Sequence, residues 1–144
     1  MLLCDHVQVA DGKLFISGGG WSVTGPGPFT SALALKFDVP WDRTNEPFAL
    51  FMRLLGEDGE PVTQPGPAGD TAIEVRGSFE VGRPAGLKQG TPIDVPLAIN
   101  IPVLALAPGK RYSWHLQING EEQEDWHLSF STRPSPEMNQ APQT

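Results

Sequence analysis

The stretch "RYSWHLQINGEEQEDWHLSFST", residues 111–132, decides the fold class. Its first limb carries Tyr112, Trp114, Leu116 and Ile118, its second Trp126, Leu128 and Phe130, all at even positions. Apolar residues at every second position mark strands with one buried face, because successive side chains of a strand point to opposite sides. Antiparallel partners i and j share a face, so i + j must be even here and the connecting loop must hold an odd number of residues. A two-residue Asn119-Gly120 turn gives an odd sum and sets apolar residues against polar ones. The parity therefore predicts a longer loop, 119–123, in spite of the Asn-Gly pair. In that register His115 faces His127 on the outer surface.

The same alternation runs outward through the chain. "LLCDHVQV" (2–9) reads as one strand with Leu3, Val7 and Val9 on one side and Cys4, His6 and Gln8 on the other. Asp11-Gly12 then turns it into "KLFIS" as a hairpin. "SALALKFDV" (31–39) alternates Leu33, Leu35, Phe37 and Val39 against polar or small residues and stops at Pro40. "PFALFMRLL" (47–55) is apolar enough for a central strand, followed by an Asp58-Gly59 turn. "TQPGPAGD" (63–70) and "GRPAGLKQGT" (82–91) are loops by composition. "TAIEVRGSFEV" (71–81) points Ile73, Val75, Phe79 and Val81 inward, with Gly77 a bulge or bend. "PIDVPLAINIPV" (92–103) is an edge strand, because Pro96 and Pro102 cannot donate to a ladder.

About eight or nine short antiparallel strands punctuated by Gly and Pro predict an all-β sandwich. "LAPGKRY" (106–112) sharpens this. Leu106, Pro108, Gly109 and Tyr112 resemble the tyrosine corner of fibronectin type III and other immunoglobulin-like sandwiches, in which the Tyr hydroxyl bonds to upstream backbone. The resemblance implies an immunoglobulin-like architecture with Tyr112 and Trp114 as structural residues. The disulfide and tryptophan pattern of antibody domains is not present.

Size and composition agree. A chain of 144 residues buries roughly 70% of its unfolded surface, enough for one self-sufficient core. We read 1–132 as a single domain and 133–144, "RPSPEMNQAPQT", as a disordered tail. The single cysteine, Cys4, cannot form an intramolecular disulfide. A net charge of −7 with scattered Lys and Arg argues against nucleic acid as a partner. No apolar run approaches about 20 residues and no leader is visible before Asp5, so the expectation is a cytoplasmic protein without membrane association.

Catalytic patterns are weak. "GGGWSVTGPG" (18–27) has no Lys-Ser/Thr after Gly20 and Gly25, so it fails as a phosphate loop. A backbone bend at Gly18–Gly20, with Trp21 packed at the sheet edge, fits better. Cys4 and His6 share a predicted strand face but lack a third group to orient the imidazole. His115 and His127, with Glu122, Glu124 or Asp125 nearby, are candidate metal ligands. Trp41, after the strand-ending Pro40, and Trp21 are candidates for stacking on a sugar ring or anchoring a partner.

As a block, "LLCDHVQVADGKLFISGGGWSVTG" with the later "LLGEDGEPV" resembles an uncharacterised family of small bacterial, mainly actinobacterial, proteins that share the Leu-Cys-Asp, Gly-Lys-Leu and Gly-Gly-Gly-Trp opening. That resemblance implies a stand-alone domain of unknown function and carries over no catalytic residue or cofactor. The expected role is a non-enzymatic protein-interaction or assembly module, partnered by another protein or by self-association. The alternatives are a carbohydrate- or small-ligand-binding module built on Trp21 and Trp41, and a metal-dependent enzyme built on His115 and His127.

Overall fold

The computed structural model describes residues 1–136. It is all-β. The strands are β1 (Leu2–Cys4), β2 (His6–Ala10), β3 (Lys13–Ser17), β4 (Val23–Thr24), β5 (Phe29–Val39) and β6 (Pro47–Gly56). They continue with β7 (Thr63–Gly66), β8 (Gly69–Ala72), β9 (Glu74–Glu80), β10 (Ile93–Leu104), β11 (Arg111–Ile118) and β12 (Glu121–Thr132), and one 3-10 turn spans Trp41–Arg43.

Two sheets form the sandwich, one ordered β1-β5-β10 and the other β4-β12-β11-β6-β9. Every pairing in them is antiparallel except the short parallel contact of β4 with β12. Leu3, Leu33, Leu35 and Ile101 of the first sheet meet Leu50, Met52, Leu54, Trp114, Leu116 and Phe130 of the second in one buried cluster. Trp114 is only 1% exposed. The even-numbered faces of β11 and β6 are thus the dry ones, as the alternation requires. β6 lies between β11 and β9, and β10 pairs with β5 alone, so the central and edge assignments both hold.

The outer face of the three-stranded sheet is lined by Cys4, Ala32, Ala34 and Ala98, which pack with Val7 and Leu14 in a second cluster. These small residues let the β2–β3 hairpin lie close over the sheet as a partial third layer. Asn100 fastens it there. Its Nδ2 donates to the Val7 carbonyl at 3.0 Å, and its Oδ1 accepts from the Val7 N–H at 3.4 Å. The hairpin turn has both Asp11 and Gly12 at positive φ, 52° and 69°, the geometry that suits a right-twisted two-residue turn.

Four local expectations are corrected. Residues 2–9 are not one strand. The Asp5 N–H turns to the carbonyls of Ser17 and Gly18, the alternation restarts at His6, and Cys4 and Val7 fall in the same buried cluster. Residues 63–70 are not mere loop, since β7 and β8 pair as a hairpin through Gly66 and Gly69. Gly77 makes no bulge, because the β6–β9 register runs unbroken from Pro47↔Glu80 to Arg53↔Glu74. Finally, the 119–123 loop is replaced by a tight turn at Asn119-Gly120, both at positive φ.

The parity conflict is resolved inside β12. Tyr112 pairs Phe130, Trp114 pairs Leu128 and His115 pairs His127, but Gln117 pairs Glu122. Between those last two pairs β11 spends one residue, Leu116, and β12 spends four, Gln123 to Trp126. Three extra residues restore the even register without lengthening the turn. Asn119 secures that turn to β6, its N–H donating to the Ala49 carbonyl and its Oδ1 accepting from the Ala49 N–H, each at 2.8 Å.

At the C-terminal end, the Arg133 N–H donates to the Thr24 carbonyl and its guanidinium to the Gly25 carbonyl. The expected tail therefore starts with a residue fastened to the domain. Residues 137–144 lie outside the described ones.

Candidate functional site

The tyrosine corner has the anticipated bond. The Tyr112 hydroxyl donates to the Ala107 carbonyl at 3.2 Å, and its ring stacks on Phe130 at 5.6 Å. Leu106 packs on the core, Pro108 is half-buried, and Gly109 takes a φ of 70° while its N–H donates to the Arg133 carbonyl. Buried Thr132 adds a part the alternation did not mark. Its hydroxyl donates to the same Ala107 carbonyl at 2.7 Å and accepts from the Lys110 N–H. Burial, with Glu57 adding its charge, raises the Tyr112 phenol above the ordinary tyrosine range, although the Ala107 bond opposes the shift.

The glycine run turns the chain. Gly18 and Gly20 take φ values of 61° and 87°, and the Gly20 N–H donates to the Leu3 carbonyl at 2.8 Å. Gly18 also lies so close to the Asp5 side chain that a Cβ there would collide with it. Trp21 then sits edge-on to Phe29 and Phe130, with centroids 6.3 and 6.0 Å away. Its indole nitrogen is buried and has no hydrogen-bond partner among the described residues. Trp41 is held differently. The Arg83 guanidinium covers its ring at 4.6 Å, donating at the same time to the Trp41 carbonyl and, through Nε, to the buried Thr44 hydroxyl. Trp41 also borders an open hollow of about 420 Å³ with Asp38, Pro40, Asp42 and Pro92. Trp21 and Trp41 contribute to different surroundings and share no site.

A polar constellation of His115, Glu122 and His127 stands on the outer face of the five-stranded sheet. His115 and His127 are opposite one another in the β11–β12 ladder, with ring centroids 3.9 Å apart. The bulge sets Glu122 in the place an unbroken register would give Asp125. Glu122 Oε1 is 2.8 Å from His115 Nδ1 and 2.8 Å from His127 Nε2. His115 Nε2 lies 2.8 Å from the Ser113 hydroxyl. Arg53, opposite His115 on β6, lines the same shallow depression with Leu55 and Glu124, and its Nε is buried without a partner among the described residues. The His115 bond, supported by that from His127, holds the Glu122 carboxyl below the usual carboxylate range against the opposing effect of burial.

Of the sequence candidates, then, the structure unites His115 and His127 with Glu122. Glu124 borders the depression without bonding to the imidazoles, and His6 stands apart on β2. Ser113 and Arg53 were missed, and their positions opposite or two residues from His115 were the available signal. Cys4 is fully buried. Burial, with Asp5 second, pushes its thiol above the ordinary range, the reverse of what an activated nucleophile needs.

A model of a family of unknown function, DUF6941, matches residues 1–131, and the chain belongs to that family. Neither a curated protein nor a solved structure matches it. No helix among the described residues is long and apolar enough to cross a membrane.

Proposed function

We propose that the domain is a non-enzymatic interaction or assembly module, and that β3 is the edge on which it accepts a strand from another polypeptide. The contrast between its sheet edges carries this reading. Unpaired strand edges invite pairing with other chains, and proteins blunt them with proline, charge, bulges or brevity. β10 carries Pro96 and Pro102, β9 carries Glu74, Arg76 and Glu80, and β7 carries Pro65. β12 is bulged and acidic along the part that β4 does not cover. β1 and β4 have three and two residues, β8 has four with Asp70 among them, and the backbone of β2 is already engaged at Val7 by Asn100. β3, "KLFIS", has one charge, no proline, and Phe15 and Ile16 exposed by 50% and 40%. Such an edge suits strand addition, in which main-chain bonds supply affinity and side-chain pockets supply specificity.

The order β1-β5-β10 facing β6-β11-β12, together with the Tyr112 corner, supports an immunoglobulin-like reading of the sandwich. A single buried thiol suits a reducing compartment, and we place the protein in the cytoplasm.

A photo-crosslinking residue at position 15 tests the edge, with position 103 as control, since Val103 is equally apolar and 58% exposed on proline-bearing β10. In cells of the source organism, position 15 should give a discrete adduct and position 103 none. Identical adducts from both positions, or none from 15 with a concentration-independent monomer in sedimentation, would overturn the reading.

A second reading has one observation behind it. Trp41 borders a hollow with Asp38 and Asp42, and an aromatic platform beside carboxylates is what a sugar ring stacks on and hydrogen-bonds to. Titration with a glycan panel should quench Trp fluorescence in wild type and not in Trp41→Phe. Equal responses would dismiss it.

A further inference from the structure

We propose that His115, Glu122 and His127 form a site for a divalent transition metal, with Zn²⁺ the ion whose preferences they meet, leaving one coordination position open to solvent. The site lies on the outer face of the five-stranded sheet, away from β3, so its fate and that of the strand-addition edge are independent.

The donor set comes first. Two imidazole nitrogens and one carboxylate oxygen are an established zinc combination, and three protein ligands plus a solvent position characterise open sites. All three ligand atoms lie within 4.8 Å of one another. Both imidazoles converge on a single oxygen, Glu122 Oε1, at 2.8 Å. Ligands about 2.0–2.1 Å from a tetrahedral ion stand roughly 3.3 Å apart. To admit the ion Glu122 withdraws by about half an ångström from each ring, and the two imidazole nitrogens, within 4.8 Å of each other, settle to the same spacing. The Glu122 side chain is 29% exposed and has room to do so.

Protonation geometry comes second. A histidine ligates through a nitrogen lone pair, and the hydrogen bond at its other nitrogen selects the tautomer. The Ser113 hydroxyl beside His115 Nε2 can accept from Nε2–H. In the metal-free form the 2.8 Å contact between His115 Nδ1 and Glu122 Oε1 is a hydrogen bond that carries a proton. A metal ion displaces that proton and takes the Nδ1 lone pair, leaving Nε2–H to Ser113. Ser113 is thus a positioning residue for the metal-ready form of His115.

The third point is how the backbone holds the site. His115 and His127 are partners in the β11–β12 ladder, so the spacing of their backbones is fixed by main-chain bonds. The bulge exists at the one place where it substitutes Glu122 for Asp125 in the register. Side-chain exposures of 17% for His115 and 36% for His127 keep the site reachable from solvent. Of the neighbouring charges, Arg53 opposes a cation and Glu122 favours one, while Glu124 borders the depression without bonding to either imidazole.

The test uses the full chain, stripped with a chelator and titrated with Zn²⁺ by calorimetry, with Co²⁺ absorption reporting geometry. One equivalent should bind. Glu122→Gln should weaken binding by tenfold or more, and Ser113→Ala by about tenfold, the usual loss for an outer-sphere partner. Glu124→Gln should bind as wild type, and His115→Ala/His127→Ala should not bind. Imidazole NMR of the wild type decides the matter even if the double variant fails to fold. Zn²⁺ should shift His115 and His127 resonances and leave His6 unmoved. Uptake well below one equivalent by the folded protein, binding that survives in a folded double variant, or equal shifts of all three histidines would overturn the proposal.

Discussion

The Tyr112 hydroxyl and the Thr132 hydroxyl both donate to the carbonyl of Ala107, at 3.2 and 2.7 Å. One backbone oxygen therefore ties the start of β11 to the end of β12. Tyr112→Phe keeps the ring on Phe130 and removes one of these bonds. It should cost about 1 kcal/mol, the net worth of a buried neutral hydrogen bond, measured as a lower urea midpoint with an unchanged slope.

The same phenol gives a pH prediction. Its ionisation is raised in the folded state, by burial first and Glu57 second. A raised acid contributes stability that is intact below its unfolded value, about 10 for tyrosine, and is lost as pH climbs from there toward the folded value. Tyr112 is the only tyrosine, so phenolate absorbance follows it alone. The folded protein should titrate above the urea-unfolded protein, and Tyr112→Phe should flatten the alkaline loss of stability. Coincident titrations would contradict this.

Cys4, the only thiol, is fully buried beneath the β2–β3 hairpin. Modification by a thiol reagent should wait for local opening. An opening free energy of about 3 kcal/mol slows the reaction roughly a hundredfold relative to the unfolded chain. Fast native-state labelling would show that the hairpin does not stay docked.

Asn100 holds that hairpin through both polar atoms of its amide. Asn100→Ala leaves the Val7 backbone groups to find water and should cost about 1–3 kcal/mol. Hydrogen exchange should quicken across residues 6–17 and stay unchanged in β11. A uniform increase throughout the molecule would mean that Asn100 stabilises the whole sandwich instead.

Removing Gln123, Glu124 and Asp125 deletes the three extra residues and preserves the parity of β12. Glu122 would then stand directly before Trp126 in an unbroken ladder. The fold should survive, with stability within about 1 kcal/mol of wild type, since short surface insertions are thermodynamically cheap. A collapse of near-ultraviolet circular dichroism would show that the bulge is structural.

Much of the fold was legible because burial writes a period of two into the sequence. The even positions of β11, the odd positions of β5 and the prolines of β10 each reported a face or an edge through steric and solvation rules local to the strand. Asp5 was not legible in that way. Nothing in "LLCDHVQV" separates one strand from two until the carbonyls of Ser17 and Gly18, more than ten residues on, capture its N–H. The hairpin at Thr63–Ala72 was hidden for a related reason, as its pairing relies on backbone bonds between residues of low strand propensity.

The candidate site divides in the same manner. The facing of His115 and His127 followed from alternation alone, because parity fixes which residues share a face. The arrival of Glu122 between them did not. The chain could satisfy an odd-even mismatch with a longer turn or with extra residues inside a strand. The choice fell to Asn119, whose left-handed turn and bonds to Ala49 hold the hairpin tight against β6. Sequence by itself determined the two-faced strands, since each side chain's side is a property of its own backbone. Tertiary structure alone decided the bulge and the grouping of His115, Glu122 and His127, since these depend on bonds between segments far apart in the chain.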